Sequence, residues 1–231
     1  MDKYCDTSKV TIEKTTKDIV YDMVVNKHYA GRWTGSKHIY AIYYDMGEHS
    51  FFDAKEKKLI GCIIYGYPVG RRTSSSIFEG IEYEDKDVME LKRLWIEDGY
   101  GNNIESYTIS KSIKLLKEDE DRAKIIISYS DPAENHKGII YRASNFYYQG
   151  NDIGHSPNYM FKLPNEDKWI TARTLTDRID GSVGIEKVKK KIPDIEIKVA
   201  EKKHRYLYFL CNRGEKKRLI KQLKHPLVSY A

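Results

Sequence analysis

Asp131 is the carboxylate in this chain whose position best suits proton transfer. It directly follows residues 124–130 (KIIISYS), a nearly continuous apolar run that predicts a buried β-strand. Open α/β sheets place their functional sites at the carboxyl ends of such strands, so we expect Asp131 to lie at a site and act as a base. Pro132 follows directly, and an Asp-Pro pair is also typical of a turn or a helix cap with no catalytic role.

Three other side chains are candidates for the same site. Arg93 is a charged residue within an apolar predicted strand, and a buried guanidinium requires a partner. Arg93 therefore either pairs with Asp131 or binds a substrate anion through two hydrogen bonds. Tyr141 lies ten residues after Asp131, and Tyr65 lies late in another predicted strand. Each tyrosine either faces a reaction cleft or packs in the core.

A glycine-rich turn joins the strand predicted at 89–97 to the helix predicted at 104–118. The first N–H groups of a helix have no partner within the helix, and they bind anions when a glycine turn exposes them. The turn therefore predicts a cofactor-binding site at Gly99, Gly101, Asn102 and Asn103. Ser106 stands in the first helical turn, where its hydroxyl either holds a phosphate or an oxyanion, or caps the helix.

Positive charge is concentrated near the C-terminus. Residues 181–231 contain 14 Lys/Arg and 5 Asp/Glu, a balance of +9, whereas residues 1–180 have a balance of −3. This asymmetry predicts a phosphate-rich partner, most simply nucleic acid, although a solvated basic tail has the same composition. Contacts to DNA phosphates are predicted for six residues: Arg71, Arg72, Lys187, Lys189, Lys190 and Lys191.

Composition excludes several classes of protein. Hydrophobic residues make up 40% and charged residues 32% of the 231 residues, the balance of a globular protein. No apolar run approaches about 18 residues, and no apolar segment near the start is typical of a secretory signal. We therefore expect a cytoplasmic protein with no membrane partner. Cys5, Cys62 and Cys211 lack metal-ligand spacing and are expected to be reduced thiols. No metal site is predicted, and His28 is the histidine considered as a ligand.

The order of predicted elements is that of an α/β fold with a central mixed sheet flanked by helices. Strands are predicted at 38–45, 59–67, 89–97, 124–130, 159–163 and 205–210, and helices within 8–30 and at 104–118, 134–144 and 216–224. Residues 171–204 show no clear apolar face and are predicted to be a mobile or ligand-ordered basic segment. We expect one domain over residues 1–231, with its core in residues 8–165 and a basic extension in residues 166–231.

The strand–turn–helix–strand unit resembles the core of the GNAT acyltransferase fold. The resemblance covers residues 90–146 and includes ELKRLWI, GYGNN, the Leu115-Leu116 pair, IIISY and NHKGIIYRASNF. The Arg/Gln-x-x-Gly-x-Gly/Ala phosphate loop of that fold is not intact here. The resemblance implies a GNAT-like sheet and acetyl-CoA or a related group donor. It also implies that Tyr141 protonates a leaving thiolate.

A narrower resemblance is to the Mom family of phage DNA-modification proteins. It rests on ELKRLWIED, on NNIES, on the run Ser-Asp-Pro…His-x-Gly…Ile-Tyr-x-Ala-Ser-Asn and on HRYLYFL, within residues 60–225. The resemblance implies that the chain converts adenine in double-stranded DNA to an N6-(methylcarbamoyl)adenine-type base, which protects phage DNA from host restriction. The resemblance also suggests iron as a second cofactor. It leaves open whether the protein is a monomer or a homodimer.

Two other functions stay open at this stage. One is a GNAT N-acetyltransferase that uses acetyl-CoA on a small amine or a protein. The other is a non-catalytic nucleic-acid-binding module in which Arg93, Asp131 and Tyr141 form a buried structural network. Base modification that depends on Asp131 would distinguish the DNA-modifying enzyme from both.

Overall fold

The structure, a computed structural model, describes residues 3–47, 57–70, 73–80, 84, 87–132, 136–151, 153, 157–179 and 184–229. Arg71 and Arg72, two of the predicted phosphate contacts, lie outside the described residues. Within these ranges no helix is long and apolar enough to cross a membrane.

A seven-stranded mixed sheet forms the centre of the fold, as predicted. Its strands, in spatial order, are β1 (Val10–Lys14), β2 (His38–Asp45), β3 (Lys57–Gly66), β4 (Val88–Ile96), β5 (Ile125–Ser130), β10 (His204–Phe209) and β6 (Tyr147–Tyr148). Strands β4 and β5 are parallel, and the other neighbouring pairs are antiparallel. The parallel pair is joined by helix α2 (Ile104–Asp119), which gives the predicted strand–turn–helix–strand unit.

Strands β4 and β5 separate soon after they meet. In the described residues they pair over three positions, from Val88 opposite Ile125 to Glu90 opposite Ile127. Beyond Glu90, β4 stays paired with β3, where Ile64 lies opposite Arg93 but Tyr65 lies opposite Leu91. Lys92 is therefore an extra residue, a β-bulge that bends β4. The bend opens a cleft between β4 and β5.

Apolar side chains cover both faces of the sheet. Helix α2 and the short helix α3 (Ile139–Ala143) pack on one face, where Ile109 and Ile113 contact Met89 and Ile126. The opposite face is covered by α1 (Lys17–Asp22), whose Val20 contacts Ile64, and by α6 (Arg213–Lys221). This alternation of buried residues along each strand follows from the two-residue period of β-structure.

A second, three-stranded sheet contains the predicted strand 159–163 and continues into residues 171–204, which were expected to be mobile or ordered by a ligand. Strands β7 (Asn158–Lys162), β8 (Trp169–Thr171) and β9 (Glu196–Ala200) pack with α4 (Ala172–Ile179) and α5 (Ile185–Lys191). The prediction that residues 171–204 form a mobile or ligand-ordered basic segment with no clear apolar face is wrong, because Leu175 and Val188 are fully buried beside Phe161. Each short helix buries one large residue, which is too few to produce a periodic pattern in the sequence.

The N-terminal helix is shorter than predicted. Strand β1 precedes it and pairs with β2, so the helix begins at Lys17 and continues as one π-helical turn, Met23–Lys27. Val20 is the fully buried residue of this helix, whereas Ile19 is 52% exposed. The other predicted strands and helix α2 agree with the structure to within about two residues, the usual uncertainty of element ends. Helix α3 begins at Ile139, later than predicted, and residues 133–135 are not described.

Replacing Gly61 should destabilise the central sheet. A Cβ atom there would overlap the Trp95 carbonyl oxygen on β4, so Gly61→Ala should lower the free energy of unfolding by about 1–3 kcal/mol. Gly214→Ala in α6 is the matched control, since its Cβ atom would meet no atom nearer than 3.4 Å. Replacing a helical glycine by alanine adds up to about 1 kcal/mol to the free energy of unfolding. Urea unfolding of both variants measures this, and equal stabilities would contradict the packing described.

Candidate functional site

A cavity of about 820 Å³ lies where β4 and β5 separate. Its walls are residues 91–98 of β4 and the following turn, Glu105 at the start of α2, Tyr129 and Ser130 at the end of β5, residues 136–141, and the pair His28 and Tyr29. The volume falls within the roughly 300–1,000 Å³ that is typical of small-molecule sites. The cleft between the two strands is therefore the candidate functional site.

Arg93 faces this cavity without a carboxylate partner. Its Nη1 donates to the Lys92 carbonyl oxygen at 2.6 Å, and its buried Nε has no hydrogen-bond partner. Among the described residues no carboxylate lies within ion-pair distance, so the predicted alternative of an Arg93–Asp131 pair is wrong. Burial lowers the pKa of Arg93, and the neighbouring charges of Arg32 and Arg173 lower it further. The second predicted alternative, a group that can bind an anion, is compatible with this geometry.

Asp131 lies beside the cavity but does not line it. Its carboxylate forms an ion pair with the Lys203 ammonium at 2.7 Å, and the residue is 8% exposed. Its carbonyl oxygen accepts the His136 N–H at 3.2 Å, so Asp131 is held between two cavity residues, Ser130 and His136. Lys203 was not identified from the sequence, because it stands in a charged run (EKKH) with no pattern that distinguishes it.

Tyr141 lines the cavity as a buried phenol. Its hydroxyl donates to the Tyr129 carbonyl oxygen at 3.4 Å, and its ring packs against Phe146 and Tyr206. Burial raises the pKa of Tyr141 well above its usual range, so the hydroxyl stays protonated at neutral pH. Tyr141 can therefore donate a hydrogen bond or a proton, and it also forms part of the core.

Tyr65 and Ser106 are placed outside the cavity. Tyr65 is fully buried, and its hydroxyl shares a hydrogen bond of 2.8 Å with Ser112 on α2. It lies on the face that α2 covers, opposite Leu91, because the bulge at Lys92 shifts the register of β4. The Ser106 hydroxyl donates to the Asn103 carbonyl oxygen at 3.1 Å, a contact within the first turn of α2.

The glycine turn does not fit a pyrophosphate group. Gly99, Gly101, Asn102 and Asn103 line a smaller cavity of about 370 Å³, together with Glu97, Asp98 and Glu105. The N-terminal segment occupies the turn: the Asn102 N–H donates to the Lys3 carbonyl oxygen at 3.0 Å, and the Cys5 N–H donates to the Asn102 oxygen at 2.9 Å. A phosphate here would meet three carboxylates and would find the Asn102 N–H already bonded. We therefore assign no reaction step to CoA.

The lysines predicted to contact phosphates lie on α5. Lys187, Lys189 and Lys190 are exposed, and the Lys191 ammonium donates to the Ile179 carbonyl oxygen at 3.2 Å. They belong to the small sheet and its helices, not to the walls of the cavity. These lysines could therefore contact only a substrate that extends beyond the cavity.

His28, the histidine considered as a metal ligand from the sequence, lines the cavity. It follows the π-helical turn, is 7% exposed, and its ring lies against Tyr29 at a centroid distance of 4.3 Å. Burial lowers its pKa to about 4, and the charges of Arg93 and His136 act in the same direction. No group of three His, Cys, Asp or Glu side chains that suits a metal ion occurs in the described ranges. The donor set therefore does not fit iron.

Stability is expected to fall as the pH decreases from about 6.5, the pKa of an unperturbed histidine. Folded His28 has a pKa of about 4, so in this range the unfolded chain binds a proton that the folded chain does not. His28→Gln cannot titrate and should lose less stability than the wild type between pH 7 and pH 5. Urea unfolding at both pH values measures the difference. An identical loss in the two proteins would contradict a buried neutral His28.

Comparison with solved structures gives GNAT acetyltransferases. One from Elizabethkingia anophelis with acetyl-CoA bound is 12% identical, with a TM-score of 0.44 over 87% of this chain and 99% of that chain. The spermidine N-acetyltransferase of Vibrio cholerae, in complex with CoA and spermine, is 9% identical, with a TM-score of 0.46 over 87% of this chain and 96% of that chain.

Comparison by sequence extends over nearly the whole chain. The protein called methylcarbamoylase mom, from Escherichia phage Mu, is 24% identical over 219 residues, which are 94% of this chain and 83% of that protein. The family model described as the Mom protein family matches residues 9–230. That range contains both sheets, the cavity and every described residue that lines it. The chain therefore belongs to the Mom protein family.

Proposed function

We propose that this protein is a phage enzyme that attaches a methylcarbamoyl-type group to N6 of adenine in double-stranded DNA. The modified base would protect phage DNA from host restriction. The observation that carries the proposal is membership of the Mom family over residues 9–230, with a methylcarbamoylase as a relative. The cavity between β4 and β5 supplies the place for the chemistry.

The target base must leave the DNA duplex to reach this cavity. Enzymes that act on a base atom inside a duplex rotate the nucleotide out of the stack and hold the base against aromatic or apolar surfaces. The cavity provides such surfaces in Tyr29, Trp95 and Tyr141. Its volume of about 820 Å³ leaves room for an adenine beside a small group donor.

Asp131 is the proposed acceptor of the N6 proton. The lone pair of adenine N6 is conjugated with the ring, so N6 attacks an electrophile only as its proton is removed. The carboxylate of Asp131 lies beside the cavity and is positioned by Lys203 at 2.7 Å. Tyr141, which is protonated, is the proposed donor to the leaving group, and Ser106 and Tyr65 would support α2 from outside the cavity.

Unpaired cations beside the cavity are the proposed anchor for the phosphate of the rotated nucleotide. Lys92 and Arg93 line the cavity, where burial lowers the pKa of both, and the charge of Arg173 on α4 acts in the same direction. Within the described residues none of these three cations forms an ion pair with a carboxylate. A DNA phosphate would remove their mutual repulsion. The lysines of α5 would contact the flanking duplex.

The group donor is proposed to enter the cleft without using the glycine turn. The carboxylates of that turn and its pairing with residues 3–5 disfavour a pyrophosphate. This arrangement also counts against the alternative function of an ordinary acetyl-CoA-dependent N-acetyltransferase. The reactive part of the donor must contact only the cavity and adenine N6, so the donor does not need to bind at the glycine turn.

Asp131→Asn should abolish base modification while preserving the fold. The amide keeps the shape of the carboxylate but cannot accept a proton, so the rate should fall by about 10²–10⁴. The measurement is mass spectrometry of nucleosides from plasmid DNA of cells that express each protein. A heavier deoxyadenosine with the wild type alone supports the proposal. Unmodified DNA with soluble wild-type protein would overturn it in favour of a binding module or another substrate.

Arg173→Gln should weaken binding to duplex DNA and reduce its salt dependence. Loss of one phosphate contact lowers the slope of log K against log salt by about one. Arg178→Gln is the matched control, because Arg178 lies on the same helix but is paired with Glu166 at 2.8 Å. Fluorescence anisotropy at several salt concentrations measures both variants. Equal slopes for the two variants would remove Arg173 from the DNA-binding surface.

A further inference from the structure

The two ring nitrogens of His28 have different surroundings. Nδ1 accepts the backbone N–H of Ala30 at 3.0 Å, which closes a turn just after the π-helical segment. The His28 N–H itself donates to the Met23 carbonyl oxygen at 2.8 Å, so the backbone on both sides is held. Nε2 makes no hydrogen bond to a described residue, and the ring lines the cavity. Nε2 is therefore the polar atom that His28 can offer to a ligand.

The hydrogen bond at Nδ1 determines where the ring proton lies. A backbone amide can only donate, so Nδ1 must carry a lone pair. A neutral imidazole with a lone pair on Nδ1 carries its proton on Nε2. The ring is neutral at pH 7, because burial with Arg93 and His136 nearby lowers its pKa to about 4. The cavity therefore faces a neutral N–H donor.

We propose that His28 donates a hydrogen bond through Nε2–H to the carbonyl oxygen of the carbamoyl group that is transferred. The proposal rests on the proposed function. An amide oxygen is a strong neutral acceptor, whereas adenine N6 presents N–H groups that cannot accept. Anionic parts of the substrate have Lys92 and Arg93 as partners, so a neutral donor suits the uncharged end.

This assignment excludes two other roles for His28. A nitrogen that carries a proton cannot accept one, so His28 cannot be the general base for N6 in this state. Metal ligation requires a free lone pair, and the lone pair of Nδ1 is already used by Ala30. The geometry at His28 therefore disagrees with an iron site built on this side chain.

Nitrogen NMR of the full chain tests the proton position without any substrate. Two-bond and three-bond correlations in the ¹⁵N-labelled protein at pH 7 distinguish the tautomers, with His28→Gln identifying the resonance. We expect a single neutral ring protonated on Nε2, unchanged by stoichiometric Co²⁺. A proton on Nδ1, a charged ring, or broadening of the His28 signals by Co²⁺ would each overturn the proposal. This readout stands even where the wild type fails to modify DNA.

Paired variants test the hydrogen bond to the substrate. His28→Gln keeps a neutral N–H donor at a similar reach, whereas His28→Leu keeps the size and loses the donor. In the nucleoside assay, the Gln variant should retain most of the modification, and the Leu variant should lose about 10- to 100-fold, as expected when a substrate oxygen loses its hydrogen-bond donor. Equal activity of the two variants would overturn the donor role. Melting temperatures of both proteins separate this loss from unfolding.

Discussion

The separation of β4 from β5 is the constraint on which the rest of the structure depends. In the part of the chain that the structure describes, three residue pairs join the two strands, and the bulge at Lys92 then bends β4 away. Backbone groups of a strand that lose one neighbour need other partners, which a ligand in the cleft can supply. If β4 and β5 stayed paired along their whole length, no space would remain between them. The cavity therefore exists because their pairing stops at Glu90.

The charge pattern around the cleft follows from that opening. Arg93 lies on the β4 wall with no carboxylate partner among the described residues, while Tyr141 and His28 are kept neutral by burial. Asp131 at the end of β5, the proposed base, is held by Lys203. Three further carboxylates, Glu97, Asp98 and Glu105, line the cavity, and Glu97 is paired with Lys58 at 2.7 Å. The cleft thus offers a cationic wall at Lys92 and Arg93 for a phosphate, neutral donors for a carbonyl group, and a base beside them. Its acidic side chains, Glu97, Asp98 and Glu105, are the ones that it shares with the glycine turn.

Much of the fold could be predicted from the sequence, whereas less of the site could. Strands such as β2 and β5 have dense apolar runs, so their positions and the buried end at Asp131 follow from pattern alone. Strand β7 of the small sheet could be predicted, but α4 and α5 could not, because each buries one large residue. Tyr65 on β3 lies opposite Leu91, and Arg93 lies two residues further along β4. The bulge at Lys92 sets this register, and it is Arg93, not Tyr65, that lines the cavity. A bulge depends on tertiary packing and has no local sequence signature here.

The location of the reaction is tested most directly by photocrosslinking. A DNA duplex with a photoreactive 8-azidoadenine at the target position is irradiated with the full-length protein, and the adducts are mapped by peptide mass spectrometry. The account predicts adducts on the peptides that contain His28 and Tyr29, Arg93, or Tyr129 to Tyr141. Adducts confined to α5 or α6 would show that the base does not enter the cleft between β4 and β5, and would contradict the account.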